Sequence, residues 1–156
     1  MSEKFDLSRF KEAHENSYET ALKEIKQGRK TSHWMWYIFP QMHGLGCSQI
    51  SKRYAISSAE EAKAFLDDEY LGGNLKEISN ALMQLDTNDA SYVFGFPDDK
   101  KLRSCMTLFA YVSEEGSVFH KVLEKYFGGK QDPVTINIIK SSNQMTQNIL
   151  ERLEKL

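Results

Sequence analysis

The chain has 156 residues, with 20 Lys and Arg against 22 Asp and Glu, a net charge of -2 and a pI of about 6.1. A domain of that length hides roughly 68–70% of its unfolded surface, so it can build a core without metal or disulfides. The charge balance lacks the overall basic excess of a dedicated nucleic-acid binder, and Cys47 and Cys105 are too few and too far apart for a metal knuckle or a secreted disulfide framework.

The opening segment, MSEKFDLSRFKE, is charged from the third residue and has no apolar signal core. The longest strongly apolar run, 34–39, is far short of the roughly 20 residues that cross a bilayer. These features predict a soluble, cytoplasmic protein with no membrane association, and two free buried thiols. Asp6 then precedes Leu7, Phe10, Ala13, Ala21, Leu22 and Ile25, spaced to keep one face towards a core, and Gly28 supplies a stop. That predicts a first helix.

Residues 28–56 read GRKTSHWMWYIFPQMHGLGCSQISKRYAI and hold both tryptophans and two of the four histidines. Within them, Trp34 to Phe39 is strand-like, as is Tyr92 to Phe96 further on, but one isolated pair makes a marginal sheet. Ser57-Ser58-Ala59-Glu60 sets a hydroxyl three residues before a carboxylate, predicting a capped helix that buries Ala62, Phe65 and Leu66. After a break at Gly72-Gly73, Leu75, Ile78, Leu82 and Leu85 mark another.

Asp98 to Val112 carries Leu102, Met106, Phe109 and Ala110 on one face, with two aspartates where a helix dipole favours negative charge. Residues 117–127 repeat the pattern and end at Gly128-Gly129, and Asp132-Pro133 opens a short helix through Ile138. From Gln144, the residues Met145, Ile149, Leu153 and Leu156 form one stripe. The predicted fold is all-α: a compact single domain over 1–141 with one irregular aromatic-rich segment at about 31–47, followed by a C-terminal amphipathic helix at 142–156, docked or partner-binding.

Chemistry concentrates in two places. Lys26, Arg29 and Lys30 close the first helix ahead of Thr31, Ser32 and His33; cations favour a helix C-terminus, and the same set could clamp a phosphate or carboxylate. Trp34, Trp36, Tyr37 and Phe39 are divided between core anchors and walls able to stack a planar ring, with His33 or His43 as acid or base. In the second patch, Asp98 and Asp99 suit a helix start, and Arg103, Ser104 and Thr107 could complete a polar wall. The Gly-Leu-Gly at 44–46 is neither a phosphate loop nor a dinucleotide fingerprint, the spacing of His33, His43 and Cys47 fits no metal motif, and neither cysteine is marked as a nucleophile. No metal or cofactor is expected.

The run GRKTSHWMWYIFPQMHGLG, with YAI at 54–56, GFPDDKKLRSCMTLF at 95–109 and YFGG ahead of Asp132 and Thr135, resembles the bacterial domain-of-unknown-function family eighteen-ten. The resemblance covers about residues 5–140 and implies a compact, mainly helical domain without an established activity. Some members carry a calpastatin label, which the globular patterning of this chain does not support. The family's motif falls here on Arg29, Lys30, Ser32, His33, Trp34, Trp36, Phe39, Pro40, Gln41, Gly44, Gly46, Tyr54, Asp98, Met106, Thr107 and Phe109, while Asn74 and Cys105 replace its usual arginine and serine.

Together these readings predict a domain that binds a small phosphorylated or nucleotide-like ligand, with turnover left open. Arg29 and Lys30 hold the anion, Trp34 or Trp36 stacks a planar group, and His33, Gln41, Tyr54, Asp98, Arg103 and Thr107 supply polar contacts; His33 and Asp98 are the catalytic candidates. The alternative is a non-enzymatic module that docks a protein through the aromatic segment or the C-terminal stripe.

Overall fold

The computed structural model describes residues 5–155; Met1–Lys4 of the opening segment and Leu156 of the C-terminal stripe lie outside it. Among the described residues there are helices and no strands. The first, α1 (Ser8–Lys26), buries Phe10, Ala13, His14, Tyr18, Ala21 and Ile25 at helical spacing. Gly28, at φ +87°, ends it by returning its amide to Ile25 O at 2.8 Å, and Arg29 N reaches Glu24 O at 3.1 Å.

The strand-like runs are single helical turns, α2 (Met35–Ile38) and α6 (Ala90–Phe94). Burial in the first run falls on Trp34, Met35, Ile38 and Phe39, with Trp36 and Tyr37 half-exposed, a spacing of three and four and not of two. The one strand-like contact among the described residues is an isolated parallel bridge between Met42 and Ile56, with Ile56 N donating to Gln41 O at 2.9 Å and His43 N to Ile56 O at 2.8 Å. It pins the irregular segment on both sides of α3 (Gln49–Arg53).

The cap of α4 (Ala59–Asp67) lies one residue beyond its predicted place: Ser58 Oγ accepts from Glu61 N, and Glu61 accepts from Ser57 N at 2.7 Å. Nor does Gly72-Gly73 break the chain. It lies inside α5 (Glu69–Met83), where Gly72 passes against the Leu66 backbone. Asp68 both closes α4 and caps α5, accepting from Tyr70 N and Leu71 N.

At the centre is α7 (Asp98–Tyr111), buried at Leu102 and from Ser104 through Ala110, and packed against α4, α6, α8 (Val118–Phe127) and α9 (Pro133–Glu154). A helix covered on nearly every side is the core element around which the rest is arranged. The predicted short helix and the separate tail are one continuous α9, because no glycine or proline follows Pro133. Its first half is anchored by the buried Thr135 and Ile139, whereas Met145, Ile149, Leu150 and Leu153 are exposed.

Candidate functional site

The aromatic segment is fastened from below by one carboxylate. Glu24, buried on the apolar face of α1, accepts hydrogen bonds from Thr31 N (2.7 Å), Ser32 N (2.9 Å), Ser32 Oγ (2.5 Å) and Trp34 Nε1 (3.0 Å). Burial by itself would raise its pKa, but the Ser32 hydroxyl, the two amides and the indole outweigh it and bring it down to about 2. Trp34 is therefore a core residue, 2% exposed and packed against Phe39 and Phe94. Sequence reasoning missed Glu24; the available signal was an acid beside Ile25 on the buried stripe, followed within ten residues by Thr31, Ser32 and Trp34.

Above Trp34 lies a cleft of about 260 Å³ lined by Lys30, His33, Trp34, Met35, Trp36, Tyr37, Ile50, Asp98 and Lys101. Asp98, from the first turn of α7, is held between two ammonium groups, Lys30 Nζ at 2.8 Å and Lys101 Nζ at 3.1 Å. Partial burial works against its ionisation, but the hydrogen bonds and charges of the two lysines keep its pKa below the ordinary value. At neutral pH Asp98 is thus an ionised acceptor, and two cations around one carboxylate leave one net positive charge. Both ammonium groups also lie over indoles, Lys30 at 5.1 Å from the Trp34 ring centre and Lys101 at 4.2 Å from that of Trp36.

Trp36 is shared with a second, more enclosed cleft of about 240 Å³, which adds Gln41, Met42, His43, Gly44, Gly46, Ser51, Lys52, Tyr54 and Ala55. Gln41 is 5% exposed, and its amide nitrogen is buried with no hydrogen-bond partner among the described residues. Ser51, by contrast, is satisfied, donating to Ser48 O at 2.8 Å and accepting from Ser48 Oγ at 3.0 Å. Gly46 keeps the cleft open: a Cβ there would stand 2.7 Å from the Ser51 side chain and 3.0 Å from Trp36 Cη2.

Of the residues singled out from the sequence, Lys30, His33, Trp34, Trp36 and Asp98 meet in the first cleft, and Trp36, Gln41 and Tyr54 in the second. Lys101, not singled out from the sequence, is the addition that joins them. Arg29 is exposed and lines neither cleft. Arg103 and Thr107 also lie elsewhere: Arg103 donates to Lys130 O (3.0 Å) and Gln131 O (2.6 Å), and Thr107 accepts from Asp132 N (2.8 Å). Asp132 in turn accepts from Ser104 and Thr135, so this polar group locks the start of α9 onto α7.

The two free thiols differ, since Cys47 is exposed whereas burial pushes the Cys105 thiol well above its ordinary pKa. Among the described residues no group of three or more His, Cys, Asp or Glu side chains is placed to hold a metal ion. A larger, open depression of about 820 Å³ is lined by Lys63, Leu66, Asp67, Lys76, Asn80 and residues 111–119. Of its lining, only the Ser113 hydroxyl is buried without a partner among the described residues, and Lys63 and Asp67 already pair at 2.7 Å. It offers a ligand less than the aromatic clefts do.

A second buried titratable group braces the first cleft from behind. His14, 1% exposed, lies 2.9 Å from Tyr37 O through Nε2 and 3.1 Å from Asn74 Nδ2 through Nδ1. The carbonyl can only accept, so Nε2 carries the proton and Nδ1 accepts from the Asn74 amide. Burial lowers the pKa of His14 to about 4, against the opposing effects of the Tyr37 carbonyl and Asp68. A folded-state pKa depressed below 6.5 contributes stability that is complete above pH 6.5 and is lost as the pH falls from there towards 4, by about 3 kcal/mol in all. Urea unfolding at pH 7, 5.5 and 4 is expected to show that decline, and His14→Gln to flatten it. Equal slopes in the two proteins would remove His14 from the account.

The molecule so defined is an all-helical domain whose aromatic segment walls two adjoining clefts, one cationic and one holding an unpaired amide. The chain belongs to the family described as "Protein of unknown function (DUF1810)", which it matches over residues 4–139. Its fold is similar to the crystal structure of the conserved hypothetical protein Rv1873 from Mycobacterium tuberculosis, with 42% sequence identity and a TM-score of 0.86 over 88% of this chain and 99% of that one. No curated protein matches it. Among the described residues no helix is long and apolar enough to cross a membrane.

Proposed function

We propose that the chain binds a small phosphorylated, nucleotide-like ligand in the clefts that flank Trp36. The observation that carries this reading is the Lys30–Asp98–Lys101 array, a fixed net positive charge set against two indole rings in a concave site. Such a surface suits a phosphate attached to something planar: the ammonium groups attract the anion, and the half-exposed Trp36 offers a ring face or edge to its carrier. The arrangement favours binding over turnover. Asp98 is spent as a counter-ion to two lysines, and the Ser51 hydroxyl in the next cleft makes its hydrogen bonds with Ser48.

A ligand that binds only the folded chain must raise its melting temperature. Thermal shift against inorganic phosphate, nucleoside monophosphates and sugar phosphates is expected to give a rise that shrinks with added salt and is lost in Lys30→Ala and Lys101→Ala, but is kept in Arg103→Ala. A rise that both lysine variants retain would place the anion elsewhere.

A further inference from the structure

We infer that the enclosed cleft beyond Trp36 is a nucleobase pocket, read by the side-chain amide of Gln41. The assignment rests on the reading of the lysine array as a phosphate site and names what the other end of that ligand is. Gln41 is buried, yet its amide nitrogen has no hydrogen-bond partner among the described residues. Leaving a buried donor unpaired is costly, and a position that had only to fill space would be served better by leucine.

The backbone at this point is fixed, because Gln41 O accepts from Ile56 N and the neighbouring Met42 pairs with Ile56, so the amide is presented from a rigid support. A carboxamide offers a donor pair and an acceptor in one plane, which matches the edge of a heterocyclic base that alternates acceptors with N–H groups. The remaining walls fit a flat ring. Trp36 and Tyr54 supply aromatic surface, Gly46 leaves the room that any Cβ would take, and about 240 Å³ is below the size of a drug-like site and suits a single ring system.

Trp36 also gives the connection, since the indole that walls this cleft lies 4.2 Å below the Lys101 ammonium. A nucleotide with its base against Gln41 would therefore carry its phosphate around one ring to the lysines.

Titration calorimetry with nucleoside 5′-monophosphates, the corresponding nucleosides and ribose 5-phosphate separates the two ends. The expected result is that one or more nucleotides bind at least about tenfold tighter than ribose 5-phosphate, the scale of one buried hydrogen bond. Gln41→Leu should erase that advantage while leaving ribose 5-phosphate affinity unchanged, and should not lower the melting temperature of the free protein. Gly46→Ala, which keeps the amide but narrows the cleft, should also weaken nucleotides selectively. Phosphate-dependent binding with no preference for a base, or a preference that survives Gln41→Leu, overturns the Gln41 assignment and leaves the lysine site standing. Nucleosides that bind through Gln41 with equal affinity in wild type and Lys101→Ala support the base pocket and count against the phosphate reading. Silence from every probe overturns both.

Discussion

Glu24→Ala is expected to cost about 3 kcal/mol and, in a domain of this size, to lower the melting temperature by roughly 6–12 °C. The side chain removed is the common acceptor for Thr31 N, Ser32 N, Ser32 Oγ and Trp34 Nε1. Thr31 and Ser32 can turn to water once it is gone, but Trp34 is 2% exposed and its indole N–H would be left unpaired inside the core. Glu24→Gln is expected to be little better, since it sets an amide donor among donors. Because the folded-state pKa of Glu24 is depressed to about 2 from 4.5, its contribution is complete above pH 4.5 and is lost as the pH falls from 4.5 towards 2. The wild type should therefore weaken across that window and the alanine variant much less. A loss under about 1 kcal/mol, measured by urea unfolding at pH 7, would mean that the 31–34 segment is held by packing and not by this carboxylate.

What the sequence discloses and what it conceals follow from how local each signal is. α1 and α8 are legible because an apolar residue every three or four positions, closed by Gly28 or Gly128, has one structural solution, and α7 shows the same spacing behind its two leading aspartates. The α4 cap is displaced by one because Ser57 and Ser58 precede Glu60 and Glu61, so two registers of the same box are equally good on paper. In the aromatic run, rings at 34 and 36 and again at 37 and 39 imitate alternation, and only the placement of Phe94 and Glu24 shows that Trp34 turns inward and Trp36 does not. The site divides in the same way. Lys30 and Asp98 are far apart in sequence, so that they meet is a property of how α6 and α7 dock, and the sequence could name both without pairing them. Arg103 and Thr107 share a face of α7, as their spacing says, but that face looks to the start of α9.

Gly72→Ala is expected to destabilise the protein by about 3 kcal/mol although it adds a single methyl to a helix interior, where alanine normally gains about 1 kcal/mol over glycine. The Cβ would stand 1.9 Å from Leu66 O and 2.7 Å from Leu66 C. Both are backbone atoms of the last turn of α4, so no rotamer relieves the overlap and the two helices must separate where Asp68 joins them. That movement pulls on Leu71 and Leu75 in the core and on Asn74, whose amide holds His14 and, through it, the Tyr37 carbonyl behind the cationic cleft. Gly73, the next residue of the same helix, is the internal control, because it is exposed and a Cβ there meets nothing within 4 Å. Gly73→Ala should raise the melting temperature by roughly 1–4 °C, whereas Gly72→Ala should lower it by roughly 6–12 °C. If both raise it, α4 and α5 are free to part. If both lower it, the break that the paired glycines suggest on paper forms in solution, and α5 begins later than Glu69.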